Sequence, residues 1–261
     1  MKGRVAVVTG ASSGIGLATA ELLLSQGWTV YNLSRRRAGS AIHIPTDVTD
    51  AGAVRAAFER VESEAGGLSL LVNCAGFGIS GAAEMTELSQ AKRQFDVNLF
   101  GTLLCSQQAA GIMRRNGGGR IINVSSAAAI FSIPFQSFYS ASKAAINSLT
   151  LAMDNELRGF GVRVTAIMPG DVKTGFTDAR EKNSADGVYG GAVAKSVAVM
   201  ERDERGGMTP ESIAKYIVKT ASRRHPKPLY AVGFQYKLFA LLFKLLPIRT
   251  VNYLVGKLYI K

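Results

Sequence analysis

Short apolar segments alternate with longer amphipathic segments along most of the chain. The apolar segments are rich in Val and Ile, which favours β-strands. The strand candidates are residues 4–9, 29–34, 41–45, 68–73, 120–125, 162–168 and 229–232. The intervening segments repeat their apolar residues at helical spacing, and the helix candidates are residues 14–26, 51–65, 89–115, 139–158 and 210–223. Strands that are apolar on both faces and separated by helices predict a doubly wound α/β fold, with a parallel sheet of about seven strands between two layers of helices.

Residues 171–208 do not follow this alternation. The stretch is polar and rich in glycine, so we expect a mobile loop that borders the substrate. Neither an internal repeat nor a linker divides the preceding residues. The sequence therefore predicts one domain over residues 1–232 and an extension over residues 233–261.

The charge of the chain is concentrated in its last fifth. The formal net charge is +12. Residues 212–261 hold ten Lys or Arg and no Asp or Glu, whereas the rest of the chain holds 21 basic and 19 acidic residues. A body so close to neutral argues against a nucleic-acid-binding protein. The two cysteines cannot form a disulfide framework and have no zinc-ligand spacing around them, so the sequence favours a reduced, cytoplasmic setting without a metal.

The extension combines this positive charge with apolar residues. Residues 236–247 are strongly apolar, and Lys237 and Lys244 are seven residues apart, which places them on similar faces of a helix. The segment is shorter than the about 20 apolar residues that cross a bilayer. Two interpretations stay open. Residues 236–261 lie at a membrane surface, or they dock over the substrate cleft or against another subunit of a dimer or tetramer.

A glycine-rich turn joins the first predicted strand to the first predicted helix. Three glycines let the backbone turn tightly and approach a pyrophosphate, whose charge the helix N-terminus stabilises. The spacing G-x-x-x-G-x-G differs from the common dinucleotide fingerprint G-x-G-x-x-G, but the position of the turn favours a nucleotide site. The residues predicted to bind the nucleotide here are Gly10, Ser12, Ser13, Gly14, Ile15 and Gly16.

The end of the second strand indicates which dinucleotide binds. Folds that select NAD usually have Asp or Glu at this position, where the carboxylate accepts from the ribose 2′-OH. This chain has Ser34, followed by Arg35, Arg36 and Arg37. No carboxylate repels a 2′-phosphate here, and guanidinium groups can bind one. The sequence therefore favours NADP(H), with Arg35 as the first contact and Arg36 as the second, over a basic surface turn.

A tyrosine and a lysine share one face of the fourth predicted helix. Tyr139 precedes Lys143 by four residues, so their side chains lie one above the other. The pair is either an ordinary surface contact or a proton donor whose pKa a neighbouring charge lowers.

The order of six motifs resembles the short-chain dehydrogenase/reductase family over roughly residues 4–232. The motifs are residues 9–16, Asn73-Cys74-Ala75-Gly76, Asn98, Ser126, Tyr139-x-x-x-Lys143 and Pro169-Gly170. Cys74 stands where the family more often has a second asparagine. The chain is most similar to members that reduce or oxidise hydroxysteroids, retinol and acyl-dihydroxyacetone phosphate. The resemblance implies a Rossmann-type fold and an NADP-dependent oxidoreductase that acts on CH–OH groups.

The resemblance also implies the catalytic roles. Tyr139 would donate its phenolic proton to a carbonyl oxygen while the nicotinamide supplies the hydride. Lys143, with the positive charge of an oxidised nicotinamide, would lower the pKa of Tyr139 from about 10 and hold the nicotinamide ribose. Ser126, which lies 13 residues before Tyr139, would hydrogen-bond the substrate oxygen in preference to Ser125. Asn98 would support a water that relays protons to Lys143, with a structural amide as the alternative.

Further positions would contact the cofactor if the resemblance holds. Two of them would border the adenine, three lie at or just after the end of the fourth predicted strand, and four would lie near the nicotinamide. In that order they are Asp47 and Val48; Asn73, Ala75 and Gly76; and Pro169, Gly170, Val172 and Thr174.

An uncharged stretch between Ser126 and Tyr139 suggests an apolar substrate. We expect three of its side chains and one after the fourth strand to line the pocket: Phe131, Ile133, Phe135 and Phe77. Ordinary core packing is the alternative for these residues. The predicted substrate is the carbonyl or alcohol of a steroid, a retinoid-like aldehyde or a lipid ketone.

Two other functions compete with this prediction. One is a 3-ketoacyl or small polyol or sugar reductase of the same family, in which the phenylalanines only pack. The other is a non-catalytic NADP-binding protein at a membrane surface, which would have no use for the complete set of Ser126, Tyr139 and Lys143.

Overall fold

Seven parallel strands form the main sheet of the computed structural model, which describes residues 4–183 and 186–260, apart from the side chains of Asp186 and Lys244. The strands of the chain are β1 (Val5–Thr9), β2 (Thr29–Ser34), β3 (Ile42–Pro45), β4 (Leu70–Asn73), β5 (Ile79–Ser80), β6 (Gly119–Val124), β7 (Val162–Pro169), β8 (Glu181–Lys182) and β9 (Leu229–Val232). The main sheet has the order β3-β2-β1-β4-β6-β7-β9, and β5 pairs with β8 separately. The predicted doubly wound parallel sheet is confirmed.

Helices cover both faces of this sheet. They are α1 (Gly14–Ser25), α2 (Ala51–Ala65), α3 (Leu88–Phe95), α4 (Gly101–Arg115), α5 (Ser137–Leu157), α6 (Asp186–Tyr189), α7 (Ala192–Arg205), α8 (Pro210–Ala221), α9 (Phe234–Leu245) and α10 (Ile248–Tyr259). Leu23 of α1 and Ile213 of α8 are buried in the core on one face, and Phe58 of α2 and Met113 of α4 in the core on the other. The strands are therefore apolar on both sides, as their sequences require.

Helix α2 shows how local sequence fixes an element. The Asp50 side chain accepts hydrogen bonds from the backbone N–H groups of Gly52 at 2.8 Å and Ala53 at 3.0 Å, which caps the first turn. Gly66 ends the helix in the left-handed region at φ 70°, where glycine carries no Cβ penalty. The helix spans the residues that the apolar periodicity predicted.

The predicted helix 89–115 contains a wide turn in its middle. Residues 96–100 form a π-turn between α3 and α4, with Asn98 buried inside it. A π-turn of this kind reorients side chains and often occurs at functional sites. Apolar periodicity could not predict it, because the wide turn adds a residue without interrupting the helix.

The prediction of a loop over residues 171–208 was wrong for its second half. Helix α7 occupies fourteen of these residues and buries Val193, Val197 and Met200. These residues have helical spacing, but two glycines precede the helix and its last five residues are all charged, which weakened the signal. Residues 184–185 lie outside the described residues, so the mobility of this stretch stays a prediction.

The extension forms two helices, α9 and α10, that fold back toward the carboxyl edge of the sheet. Val251 and Val255 of α10 are buried, and α10 packs against α7. Within residues 4–183 and 186–260, none of the helices has the length and apolar character needed to cross a membrane. Of the two interpretations of the extension, the structure shows the one in which it docks beside the cleft.

Candidate active site

A cleft of about 1790 Å³ opens at the carboxyl ends of the central strands. Most of the residues predicted to bind cofactor or substrate line this cleft. They are Gly10, Ser12, Ser13, Gly14, Ile15, Gly16, Ser34, Arg35, Arg36, Asp47, Val48, Ala75, Gly76, Phe77, Ser126, Phe131, Ile133, Tyr139, Lys143, Pro169, Gly170, Val172 and Thr174. Three predicted residues, Asn73, Asn98 and Phe135, are not among its lining residues.

The glycine-rich turn has no room for side chains at its first and last glycines. Gly10 has φ 64°, and a Cβ there would lie 2.8 Å from the Cα of Ala75. A Cβ at Gly16 would lie 2.5 Å from the carbonyl oxygen of Gly10. The hydroxyl of Thr9 accepts hydrogen bonds from the backbone N–H groups of Cys74 and Ala75, both at 3.1 Å. The turn is thereby held tightly against the end of β4.

The N-terminus of α1 faces this turn with its backbone donors available. In the described part of the chain, no side chain caps the helix and no acidic residue lies in its first turn. The first N–H groups of a helix have no partner within the helix, and its dipole favours a negative charge there. The turn and the helix together fit a pyrophosphate, as a dinucleotide cofactor would bring.

The end of β2 presents two guanidinium groups to the cleft. Arg35 and Arg36 are exposed on its rim, and the Ser34 hydroxyl donates a hydrogen bond to the carbonyl oxygen of Arg36 at 2.8 Å. Asp47 lies nearby. A hydrogen bond from the Thr49 backbone N–H lowers the pKa of Asp47, burial raises it to a smaller extent, and the charge of Arg35 also lowers it. The two guanidinium groups thus lie on the rim of the cleft beside Asp47, and a 2′-phosphate contact stays a prediction.

Tyr139 is half-buried at the other end of the cleft. Burial raises the pKa of its hydroxyl to about 12; a hydrogen bond with Ser126 lowers it and the charge of Glu204 raises it. In the chain alone, desolvation outweighs the favourable contacts. Tyr139 therefore holds its proton throughout the neutral pH range. The predicted lowering of this pKa relied in part on the charge of an oxidised nicotinamide, so it stays a prediction.

Lys143 lies beside Tyr139 without forming a hydrogen bond to its hydroxyl. The ammonium donates to the carbonyl oxygen of Val124 at 2.9 Å and lies 5.7 Å from the centroid of the Tyr139 ring. Burial lowers the pKa of Lys143 to about 8. Both side chains line the cleft, which excludes the ordinary surface pair as an explanation of their spacing.

Ser125 and Ser126 have different partners. The Ser125 hydroxyl donates to the carbonyl oxygen of Lys143 at 3.1 Å, so it anchors α5 to the sheet. The Ser126 hydroxyl accepts from the backbone N–H of Ala128 at 3.1 Å and interacts with the hydroxyl of Tyr139. Ser126 is therefore the serine that stands beside the proposed proton donor.

Asn98 is held by the backbone and does not line the cleft. Its side chain accepts from the N–H of Phe77 at 3.0 Å and donates to the carbonyl oxygen of Phe77 at 3.1 Å. It also donates to the Ser142 hydroxyl at 3.1 Å. These contacts are those of a structural amide, which was the alternative interpretation of Asn98. Its part in a proton relay stays a prediction.

Asn73 is directed into the core and does not line the cleft. Its amide donates to the Ser106 hydroxyl at 3.0 Å and to the side-chain oxygen of Asn123 at 2.9 Å. These bonds connect β4 to α4 and β6. The sequence places Asn73 at the end of β4, but it does not indicate whether the side chain points into the core or into the cleft.

The substrate side of the cleft is apolar. Phe77, Phe131 and Ile133 line it, and the ring of Phe131 packs edge-on against Phe239 and Phe243 of α9 at centroid distances of 6.1 and 5.7 Å. The extension thus contributes aromatic side chains to the cleft. Docking over the cleft was one of the two interpretations that the sequence left open for it.

The placement of Phe135 in this pocket was wrong. Its backbone has φ 60°, in the left-handed region that non-glycine residues rarely adopt. Its ring packs edge-on against Tyr189 with centroids 5.5 Å apart, and its carbonyl oxygen accepts from the N–H of Gly81. The turn in the chain directs this side chain toward Tyr189 of α6, and neither residue lines the cleft.

Sequence reasoning missed an ionic cluster behind the substrate side. The side chain of Arg180 is fully buried and pairs with Glu204 of α7, whose carboxylate also accepts from the Thr177 hydroxyl at 2.6 Å. Both charges act on Tyr139, since Glu204 raises its pKa and Arg180 lowers it. The residues lie in the stretch that was taken for a loop, so no periodic pattern pointed to them.

Sequence reasoning also missed a contact between α9 and the residues that follow β7. The hydroxyl of Tyr236 in α9 donates a hydrogen bond to the carboxylate of Asp171. The Tyr236 ring lies against Gly170, where a Cβ would come within 1.8 Å of it. Burial raises the pKa of Asp171. The Pro169-Gly170 motif marked this position, but it carried no information about a partner 66 residues later.

Comparison with known proteins places the whole length of the chain among oxidoreductases. The family model described as short chain dehydrogenase matches residues 4–185. A 3-ketodihydrosphingosine reductase of Bacteroides thetaiotaomicron is 36% identical over 239 residues, which is 89% of each chain. An NADPH-dependent 3-dehydrocapnine reductase of Ornithobacterium rhinotracheale is 30% identical over 268 aligned positions, or 95% of each chain.

A solved structure extends this likeness to the coordinates. The short-chain dehydrogenase of Streptomyces avermitilis superposes with a TM-score of 0.84 at 26% sequence identity. The alignment covers 98% of this chain and 95% of the other. The likeness therefore includes nearly all of the extension as well as the sheet.

Proposed function

This chain belongs to the short-chain dehydrogenase family, whose members are nicotinamide-dependent oxidoreductases acting on carbonyl and alcohol groups, and we propose that it is an NADPH-dependent reductase of long-chain lipid ketones. The observation that carries the proposal is the convergence of Ser126, Tyr139 and Lys143 on one wall of the cleft. The aromatic side chains of Phe131, Phe239 and Phe243 line the same cleft.

The proposed chemistry uses each of these three side chains. When bound, the reduced nicotinamide supplies the hydride. Tyr139 keeps its proton because its pKa is about 12, and it passes that proton to the carbonyl oxygen as negative charge develops there. Ser126 donates a second hydrogen bond to the same oxygen. The Lys143 ammonium favours the phenolate that remains on Tyr139.

The apolar wall supports a lipid as the substrate. Phe131, Phe239 and Phe243 stack edge to face, and the inner residues of both extension helices continue this surface. Two relatives that share nine-tenths of their length with this chain are named for 3-ketodihydrosphingosine and 3-dehydrocapnine. The first of these compounds is a long-chain ketone, and the apolar wall of this chain suits such a molecule.

Chain length is the test of this substrate class. Each methylene that the cleft buries contributes about 0.8 kcal/mol, or about fourfold in kcat/KM. We therefore expect kcat/KM for NADPH-dependent reduction to rise with the alkyl length of a series of 3-ketones until the cleft is filled. A flat series, or a preference for small polyols and sugars, would contradict the proposal.

Cofactor selectivity gives a separate test. Replacing Arg35 by Ala removes a charge-assisted hydrogen bond of about 1.5–3 kcal/mol, so we expect the Kd of NADPH to rise about ten- to hundredfold. The Kd of NADH, which lacks the 2′-phosphate, should hardly change. Fluorescence titration of both cofactors measures this. Arg37→Ala is the matched control, because Arg37 is exposed but does not line the cleft. Equal losses for both cofactors in Arg35→Ala would refute the role.

A further inference from the structure

The outer face of the extension is an unpartnered apolar surface. Of the eighteen large apolar side chains exposed in the described residues, eleven lie within residues 234–260. On α9 they form a stripe of Phe234, Leu238, Leu241 and Leu245, with Phe234 86% and Leu245 71% exposed. The spacing of four, three and four residues places them on one face of the helix. A surface of this size usually marks a binding site.

The opposite face of the same helix closes the cleft. Tyr236, Phe239 and Phe243 point to this side, through the bond of Tyr236 to Asp171 and the ring contacts with Phe131. Helix α9 therefore has two apolar faces. One face lines the cleft, and the stripe is exposed on the other.

Helix α10 extends the exposed surface. It buries Val251 and Val255, but Ile248, Leu254 and Leu258 are exposed. Leu254 and Leu258 also line the cleft. The mouth of the cleft and the exposed apolar surface therefore meet along this helix.

The charge around this surface is of one sign. Exposed basic residues on the two helices include Lys237, Arg249 and Lys257, and no Asp or Glu occurs between residues 212 and 261. A dimer formed by this face alone would be self-complementary and would bring the same basic residues together without a carboxylate. An anionic lipid surface supplies both the apolar phase and the missing negative charge.

We infer that α9 and α10 dock the chain on an anionic lipid surface, with the stripe in the acyl boundary and the mouth of the cleft against the lipid. A substrate dissolved in that lipid would enter between α9 and α10 without crossing water. The docking itself does not depend on the proposed reaction, because it can be measured without turnover.

Vesicle sedimentation with the full chain tests this inference. We expect the protein to sediment with phosphatidylcholine vesicles that contain phosphatidylglycerol, to bind vesicles of phosphatidylcholine alone more weakly, and to lose affinity for the anionic vesicles as salt is raised. The double variant Leu241→Glu/Leu245→Glu should bind at least about tenfold more weakly. Neither leucine lines the cleft, so reduction of a water-soluble ketone in buffer should be unchanged.

A matched variant controls for the added charge. Met85→Glu/Leu88→Glu places the same two carboxylates at residues that are 43% and 68% exposed and outside the extension, and it should bind vesicles like the wild type. Wild-type protein that ignores anionic vesicles, or a double variant that binds them equally well, overturns the inference. A dimer that the double variant separates into monomers, without vesicle binding by the wild type, assigns the face to a second copy and also overturns it. If the double variant does not fold, the salt series on the wild type still tests the inference, because binding to anionic vesicles that does not weaken with salt would contradict it.

Discussion

Replacing Tyr139 by Phe should lower kcat for ketone reduction by about a hundredfold to ten-thousandfold, the range that positioned acid catalysis supplies. The substitution removes the hydroxyl that interacts with Ser126 and leaves the ring, which packs beside Phe176 at a centroid distance of 5.5 Å. The cleft keeps its shape, so the Kd of NADPH should stay at the wild-type value. Stopped-flow measurement of NADPH oxidation separates the two quantities.

Tyr216 offers a matched control for this substitution. Tyr216 lies in α8, and its ring centroid is 5.9 Å from that of Tyr230. It does not line the cleft. Tyr216→Phe should keep wild-type turnover. If Tyr139→Phe retained more than about a tenth of wild-type kcat, the proton would come from another group and the assignment of Tyr139 would be wrong.

Replacing Gly16 by Ala should weaken NADPH binding about ten- to hundredfold. The added Cβ would lie 2.5 Å from the carbonyl oxygen of Gly10 and 2.9 Å from its carbonyl carbon. Both are backbone atoms, so α1 must move away from the turn that faces the pyrophosphate. Overpacking of this kind costs about 1–3 kcal/mol, and the middle of that range, about 1.4–2.8 kcal/mol, corresponds to about ten- to hundredfold in affinity.

The same substitution at Gly159 provides the comparison. A Cβ at Gly159 meets nothing within 4 Å, so Gly159→Ala should bind NADPH with wild-type affinity. Titration of both variants, with thermal unfolding as a check on folding, makes the measurement. Wild-type affinity in Gly16→Ala would show that the close approach of α1 to the turn does not matter for the cofactor.

The sheet could be predicted from the sequence because its strands are buried on both faces. Val5 to Thr9 and Leu70 to Asn73 are fully buried runs, and such runs leave a continuous apolar signal. The sequence of helix α7 carries a weaker apolar signal. The helix buries only one side, it follows two glycines, and it ends in five charged residues.

The chemistry of the site was predictable where it depended on spacing and unpredictable where it depended on environment. Tyr139 and Lys143 share a helix face at any burial, so their proximity followed from the sequence. The pKa of Tyr139 did not, because it depends on burial in the folded chain and on charges that are distant in sequence, such as that of Glu204 in α7. The position of Phe135 depended on a single backbone angle that no pattern specifies.

The extension shows the same division. Its apolar and basic composition allowed either a membrane contact or a cover for the cleft. The structure has Phe239 and Phe243 on the cleft and Leu241 and Leu245 on the outside, so the two interpretations belong to opposite faces of one helix and do not exclude each other.

Isotope transfer from the cofactor tests the central proposal most directly. The wild-type chain is incubated with a long-chain 3-ketone and NADPH that carries deuterium at the transferable C4 position, and the product is analysed by mass spectrometry. The account predicts an alcohol with one deuterium on its carbinol carbon, formed at a rate that falls about a hundredfold or more in Tyr139→Phe. An alcohol without deuterium, or no alcohol from any long-chain ketone while NADPH binds, would contradict it.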